Sequence, residues 1–454
     1  MSGRVGRTSY IYKRRSGTLQ EHDTHAKVLK IKIFNSFDTK VHDWILFLPF
    51  LATVMPESAS MARIEFGFFD AGGGHRAAAT ALELAIRAQN RPWEVRLTNL
   101  QDLLDRLDIL KKYSGIRIQD FYNSMLRTGW TLGSRHLMRI LQLTIRAYHR
   151  PIVRLLEGHW RETQPDMVVS CVPHFNRALG ESFRRAFPGR PFVTILTDIA
   201  DYPPHFWIER QPQYFICGSD RAVSQARSMG HPDDRIFQAS GMILHPRFYE
   251  APVENAAAER ERLGLRAGLP TGLVLFGGHG SQVMLDIAER LDQSSLELQL
   301  ILICGRNEKL AAALREQKPR LPRFVEGFTT RVNYYMQLSD FFIGKPGPGS
   351  VSEALAMHLP VIVECNAWTL PQERYNAKWV LEKEVGMVLR NFTKVDEAVA
   401  ELIEPATLAR YRANAASLRN RAVFEIPGML EKILENSQGE TTANASGALS
   451  RKAI

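Results

Sequence analysis

The sequence predicts an α/β protein made of two facing, doubly wound parallel-sheet domains. Three observations carry that expectation. Apolar strand-like runs alternate with helical runs through most of the 454 residues, the βαβα order of a parallel sheet covered by helices. Each half of the chain repeats one device, a buried strand running into a Gly-rich turn and then a helix: Asp70-Ala71-Gly72-Gly73-Gly74 in the first half, Gly277-Gly278-His279-Gly280-Ser281 in the second. A third junction, Gly344-Lys345-Pro346-Gly347-Pro348-Gly349-Ser350, lies further on. Open parallel sheets bind ligands at the carboxyl ends of their strands, where such junctions fall.

Length allows two or three domains, and 45% hydrophobic content suffices for packed cores. The four cysteines, Cys171, Cys217, Cys304 and Cys365, show no metal-ligand spacing. Three lie in apolar runs where a small buried thiol is the plain reading, and a reducing cytoplasm fits them. A formal charge of +10 and a pI near 9.4 call for an anionic partner: nucleic acid, anionic lipid headgroups or phosphorylated substrates. No run reaches the roughly 18 apolar residues that span a bilayer. The longest, Trp44 to Met55, is too short and contains Pro49, so any bilayer contact is expected to be peripheral.

Residues 1–60 carry the cluster Lys13-Arg14-Arg15 and a short apolar patch ending at Pro56, without a small-residue cleavage site. They are expected to be poorly ordered or an interfacial anchor. Met61 opens so clean a strand that translation is expected to begin there.

The first domain is expected over 61–248. Ile64 to Phe69 reads as a buried strand and His75 to Asn90 as a helix with Ala78, Leu82, Ala85 and Ile86 on one face. Three consecutive glycines allow close backbone approach, and His75 falls at the mouth of the crevice. An imidazole with an unperturbed pKa near 6.5 is mostly neutral at pH 7 and can accept a proton; a helix-terminal residue bonded to backbone or water is the other reading of His75. Arg76 reads as structural or phosphate-facing.

Trp93 to Thr98 reads as a strand. Residues 116–161 form a long helical stretch with eight arginines against Asp120 and Glu157, interleaved with Phe121, Tyr122, Trp130 and Tyr148. An anionic membrane interface attracts such a stretch; a solvated helical face is the alternative. Met167 to Val172 and Pro191 to Thr197 are apolar strands. The segment Thr197-Asp198-Ile199-Ala200-Asp201-Tyr202-Pro203-Pro204-His205-Phe206-Trp207 then carries polar Asp198 and His205 at a strand end, or is a loop turned by its prolines and packed by its aromatics. Tyr214 to Cys217 is a short strand, and Ser219 reads as the cap of the next helix.

The polar 250s read as a mobile linker into the second domain, 249–395. Strands are expected at Leu273 to Phe276, Leu298 to Cys304, Arg323 to Glu326, Phe341 to Ile343 and Val361 to Glu364, with helices between them. Closing helices are expected over 396–436 and a disordered Ser/Thr/Ala/Gly-rich tail over 437–454.

The stretch from Gly344 to Asn376 organises the rest. The Gly347-Pro348-Gly349 turn precedes an apolar, Ala-rich helical run, with Ser350 as its expected N-cap and Glu353 three residues on, as a capping box has it. The first turn of such a helix presents unpaired N–H groups and partial positive charge, which suits a diphosphate. Glu353 serves the cap or points outward to accept two sugar hydroxyls. Pro371-Gln372-Glu373 and Asn376, just after the next strand, favour a nucleotide-sugar site over a plain turn.

This stretch resembles the monogalactosyldiacylglycerol synthase and MurG branch of the GT-B glycosyltransferases, family 28. The Gly-Gly-Gly-His-Arg junction, the Thr-Asp segment with its Pro-aromatic loop, Ser240 to Phe248, Ile303 to Asn307 and Glu326-Gly327-Phe328 extend the resemblance over about residues 61–435. It implies a GT-B fold, an inverting transfer from a UDP-sugar to a lipid hydroxyl of diacylglycerol type, and His75 as the general base with Gly73 and Gly74 beside it and Asp198 or His205 as polar contacts on the acceptor side. It places Glu353 on the ribose and Gln372 and Glu373 on the sugar. Gly305 and Phe328 would flank the uracil, and the amides of Gly277, Gly278, Gly280 and Ser281 with those of Gly347, Gly349 and Ser350 would hold the diphosphate. The closing helices would cross back to the first domain. No cofactor beyond the UDP-sugar substrate is implied, and no metal is expected, since no Asp-x-Asp pair sits beside these loops. The expected location is the cytoplasmic face of the cell membrane. The galactolipid synthases carry a Gly before the Gln, where this chain has Pro371, so galactose, glucose and N-acetylglucosamine stay open. A MurG-like transfer of N-acetylglucosamine to a polyprenyl-linked saccharide is the nearer rival. A non-enzymatic nucleic-acid-binding protein is the farther one, and it needs exposed aromatics and cations that Gly-rich strand-helix turns do not supply; no nucleic acid partner is expected.

Overall fold

The computed structural model describes residues 61–70, 73–105, 143 and 145–452, with side chains to Ser437. The expectations for residues 1–60 and for 116–142 lie outside the described residues. Everything below belongs to one compact unit, Ser60–Ile454.

Two six-stranded parallel sheets form the frame. The first runs β2-β1-β3-β4-β5-β6, from Ala62–Phe68 (β1), Trp93–Asn99 (β2), Met167–Ser170 (β3), Phe192–Ile195 (β4), Tyr214–Cys217 (β5) and Ile236–Gln238 (β6). The second runs β12-β11-β10-β7-β8-β9, from Thr271–Leu275 (β7), Gln299–Ile303 (β8), Arg323–Glu326 (β9), Phe341–Gly344 (β10), Val361–Glu364 (β11) and Gly386–Leu389 (β12). Inner strands such as β3, β4, β7, β8 and β10 are buried along their whole length, because helices cover both faces, and this is why they read as unbroken apolar runs. Register sets Ile64 beside Met167 in the first sheet and Val274 beside Ile343 in the second. β1 thus neighbours β3, and β10 neighbours β7, so the turns leaving each parallel pair lie side by side at the carboxyl end of their sheet.

The domains are tied by the end of the chain. Ala422, Val423, Ile426, Leu430 and Ile433, on the helix Ala422–Lys452, pack into the first-domain core with Leu82, Ala85 and Ile86. Gln89 Nε2 donates to the Phe424 carbonyl at 2.9 Å, and Arg91 pairs with Glu431. The backbone stays helical to Lys452 where a disordered tail is expected. Propagating a helix that packing has already nucleated costs far less than starting one, so weak composition does not stop it.

The 250s are not a mobile linker. The helix Ala256–Arg262 is pinned to the second domain: Arg260 donates to the Leu338 carbonyl at 2.9 Å and pairs with Asp340 at 3.1 Å, and Val253 N–H donates to Gln337 at 2.9 Å. Polar composition there reflects fixed partners rather than freedom. In the described part of the basic stretch, the helix His149–Thr163 turns Ile152, Val153, Leu156 and Trp160 into the first-domain core and leaves Arg150 and Arg154 exposed. Its apolar face is therefore spent on folding.

Candidate active site

The first domain contributes the turn after β1. Gly73 stands at the N-cap of the helix Gly74–Ala88 with φ 83°, a left-handed backbone that suits glycine. No side chain caps this helix, so its first-turn N–H groups are left for water or ligand. Gly74 opens the helix and His75 follows it. His75 Nδ1 lies 3.0 Å from Thr197 Oγ1, and its ring lies 5.8 Å from that of Trp207. Burial pushes the imidazole down to about 4, against a backbone hydrogen bond with Cys171 that acts the other way. At pH 7 the ring is neutral and has a lone pair to offer. Arg76 is structural, paired with Asp70 at 3.1 Å and stacked on Phe68.

The segment after β4 splits the two expected acceptor-side residues. Asp198 is buried and accepts from Trp207 Nε1 at 2.8 Å. Burial pushes its carboxyl up to about 7; the Trp207 bond opposes this, and across the cleft Glu373 raises it while Lys345 lowers it. His205 is exposed with φ 63°, and its ring makes no hydrogen bond among the described residues. Its loop is held by Asp201, whose carboxylate accepts from the N–H groups of His205 at 3.1 Å and Trp207 at 2.6 Å.

Sequence reasoning missed His174. It follows β3, and because β3 lies beside β1 the residue arrives close enough to His75 for the two to influence each other electrostatically. Its backbone is left-handed (φ 66°), its ring stands edge-on to Phe206 at 4.2 Å, and both ring nitrogens are buried without a hydrogen-bond partner among the described residues. Burial first, then His75, pushes it down to about 4. Strand order, which no local motif encodes, was the signal needed.

In the second domain the turns after β7, β8 and β9 converge. Gly277 and Gly280 have φ 77° and 62°, and Gly305 has φ 58°. A Cβ on Gly280 would meet the Cys304 carbonyl oxygen at 2.6 Å, and one on Gly305 would meet that of Gly278 at 2.5 Å. Arg306 N–H donates to Gly278 O at 2.9 Å, so the two turns are in backbone contact. The Arg306 guanidinium lies 4.3 Å over the Phe328 ring, which is 55% exposed; an exposed aromatic of this kind is a platform for a flat base. Ser281 Oγ accepts weakly from Val283 N–H at 3.4 Å.

The Gly-Pro turn after β10 corrects one expectation. The helix spans Pro348–Ala356 with Gly347 at its N-cap and no side-chain cap, so Ser350 lies inside the first turn and no capping box forms. Proline at the first helical position has its φ preset and lacks an N–H that would go unpaired, so the helix starts there. Gly349 is exposed, and a Cβ on it would meet open space. Glu353 is released from capping: half-buried, it makes no hydrogen bond through its carboxylate among the described residues, and burial pushes it up to about 7 against the pull of Arg247 from the interdomain segment. Gln372 and Glu373 are buried in the turn before the helix Arg374–Glu382, where Glu373 pairs with Lys345 at 3.1 Å and Asn376 Nδ2 donates to the Pro346 carbonyl at 2.8 Å. Asn376 thereby fastens that helix to the Gly-Pro turn. Across the cleft Tyr202 meets Tyr375, ring centroids 5.6 Å apart.

The arrangement sets a neutral imidazole and a buried carboxyl on one wall. Two glycine turns, a helix N-terminus, the Glu353 carboxyl and a Lys–Glu pair stand on the other. It can accept a proton on one side while holding an anion on the other. Among the described residues no group of three or more His, Cys, Asp and Glu side chains could hold a metal ion, and no helix is long and apolar enough to cross a membrane.

The glycosyltransferase family 28 C-terminal domain matches residues 273–426. Monogalactosyldiacylglycerol synthase 1 of Arabidopsis thaliana is 26% identical over 379 residues, 79% of this chain and 68% of that protein. The spinach (Spinacia oleracea) monogalactosyldiacylglycerol synthase is 27% identical over 407 residues, 84% of this chain and 74% of that protein. Among solved structures, MurG of Acinetobacter baumannii superposes with a TM-score of 0.52 at 13% identity, covering 82% of this chain and 99% of that one, a likeness of fold. Two parallel sheets facing each other give the chain a GT-B fold, and the family 28 match together with relatives that span both sheets supports the monogalactosyldiacylglycerol synthase and MurG-like branch of that family.

Proposed function

We propose that this enzyme transfers a hexose from a UDP-sugar to a lipid hydroxyl of diacylglycerol type, with inversion at the anomeric carbon. The donor occupies the second domain: uracil between the Gly305 turn and Phe328, ribose hydroxyls on Glu353, diphosphate over the first turn of the helix Pro348–Ala356 and the Gly277 to Ser281 amides, and sugar beside Gln372 and Glu373. The acceptor enters from the first domain past Asp198, and its hydroxyl gives its proton to His75 as the oxygen attacks the anomeric carbon from the face opposite the diphosphate. Fixed backbone dipoles act on the charge that grows on the leaving group.

The observation that carries this reading is geometric: His75, bonded to Thr197, stands beside Trp207, whose indole holds the Asp198 that senses the Lys345–Glu373 pair of the other wall. Bound UDP adds negative charge to the cleft, which favours imidazolium and so strengthens the base once the donor is in place. Docking is peripheral, on the cytoplasmic face of the cell membrane. Exposed Arg150 and Arg154 contribute to it by charge alone, since the apolar face of their helix is buried.

The test is incubation of purified enzyme with labelled UDP-galactose, UDP-glucose and UDP-N-acetylglucosamine and vesicles containing diacylglycerol. Label in a glycosyldiacylglycerol is the expected outcome. Label only on an added polyprenyl-linked saccharide, or in no lipid, contradicts the reading.

A further inference from the structure

We propose that Lys345 is a catalytic residue of this transfer, its ammonium bound to the β-phosphate oxygen that parts from the sugar. The inference rests on the donor reading above and adds to it a residue that no glycine turn or helix terminus can replace.

Position is the first argument. Lys345 leaves β10 inside the Gly-Pro turn, and its side chain runs between two of the glycine junctions. A Cβ built on Gly347 would lie 3.5 Å from Lys345 Cε, and one built on Gly277 would lie 3.8 Å from it. The aliphatic stem therefore fills the space between the turn after β7 and the turn after β10. The ammonium at its end therefore lies beside both junctions, in the turn that precedes the helix Pro348–Ala356.

Its partners are the second argument. Lys345 Nζ donates to Glu373 Oε1 at 3.1 Å; the Lys345 side chain is 35% exposed, whereas that of Glu373 is 10% exposed. The carboxylate thus backs the ammonium from the protein side and fixes it toward the cleft. An ammonium has three N–H donors, and this bond uses one. The charge of Lys345 also reaches Asp198 on the opposite wall. It is therefore felt where the acceptor wall, the sugar-side residues and the helix terminus meet.

The chemistry at that point is balanced as follows. The acceptor oxygen forms its bond to the anomeric carbon with its own electron pair, and its proton passes to His75. The bond from the anomeric carbon to the β-phosphate oxygen breaks, its electron pair going to that oxygen, and UDP leaves with one more negative charge than it had as an ester. A helix terminus supplies about half an elementary charge, and Lys345 adds a full one at short range. Lys345 acts by charge and hydrogen bonding and transfers no proton.

The experiment compares Lys345→Met and Lys345→Arg with the parent enzyme, using calorimetric titration with UDP and with UMP, and turnover with the UDP-sugar that supports transfer. UMP lacks the β-phosphate. Lys345→Met is expected to lose about tenfold in UDP affinity, keep UMP affinity, and lose roughly 10²–10³ in turnover, the cost of removing one fixed group from a developing oxyanion. Lys345→Arg, which keeps the charge, is expected to recover most of the UDP affinity and part of the turnover. Turnover unchanged in Lys345→Met overturns the inference. So does an equal loss of UDP and UMP affinity with a lowered melting temperature, which would make Lys345 only a structural partner of Glu373. A parent enzyme that binds no UDP overturns the donor reading and this inference together, whereas normal UDP binding and transfer in the parent isolate Lys345 as the failed part.

Discussion

The Nδ1 atom of His75 sits 3.0 Å from the hydroxyl oxygen of Thr197, two residues separated by 122 positions in the chain. The bond crosses from the turn after β1 to the start of the segment after β4, and it orients the ring that the proposed chemistry needs. Thr197→Val removes this partner without changing the side-chain shape. It is expected to lower turnover by about tenfold, the effect of losing one hydrogen bond, with UDP affinity unchanged. Steady-state kinetics beside a UDP titration checks it, and an unaltered turnover would detach Thr197 from the mechanism.

Glu353→Ala is expected to weaken UDP binding by roughly 10–100-fold, since hydrogen bonds to a charged group contribute about 1.5–3 kcal/mol. Turnover at saturating donor should fall much less. Calorimetry with UDP is the measurement, and normal affinity in the variant would remove Glu353 from the ribose.

A methyl group at Gly305 has nowhere to go: the backbone is left-handed and the Gly278 carbonyl oxygen would stand 2.5 Å away. Gly305→Ala should push the two turns apart, destabilise the protein by about 1–3 kcal/mol, and cost UDP affinity. Thermal unfolding and a UDP titration on the same sample would show both losses. A variant of unchanged stability would mean that the turns are not in contact.

His174 gives a pH signature. Its folded pKa is depressed from 6.5 to about 4, so the unfolded chain binds a proton more readily between those values. Its share of folding stability is therefore whole above about pH 6.5 and is lost as pH falls toward 4, amounting to roughly 1–3 kcal/mol. His174→Asn keeps a residue that tolerates φ 66° but does not titrate. Denaturant unfolding should show the variant gaining on the parent as pH drops from 6.5 to 4, with a flat difference above 7; a constant difference throughout would refute the buried neutral imidazole.

Much of this frame was legible in the sequence, and for physical reasons. Strands buried on both faces must be unbroken apolar runs, so β3, β4, β5 and β10 announce themselves, and Gly-rich turns mark the carboxyl ends of β1, β7 and β10. Ser219 caps its helix as expected, accepting from Ala222 N–H at 3.1 Å. The short strands β6 and β12 went unread: β6 is a three-residue edge with polar Gln238 at its end, which leaves too little pattern to detect. Ser350 misled because a proline at the first helical position outcompetes a side-chain cap.

Within the candidate site, the conspicuous turns were legible one by one, but the pairings between them were not. Lys345 meets Glu373, His75 meets Thr197, and His174 approaches His75 only because parallel sheets bring distant strand ends together. Local spacing carries no record of strand order. In the described part of the basic stretch, amphipathicity showed that a face would be buried but not what would bury it: Ile152, Val153, Leu156 and Trp160 pack into the first-domain core.

The central claim is that the imidazole of residue 75 takes the acceptor proton in a cleft whose far wall holds the donor. Turnover and the UDP dissociation constant of His75→Ala, measured side by side, test it most directly. The account predicts a turnover loss of roughly 10²–10⁴ with the dissociation constant unchanged. Equal loss of both, or full turnover, would contradict it.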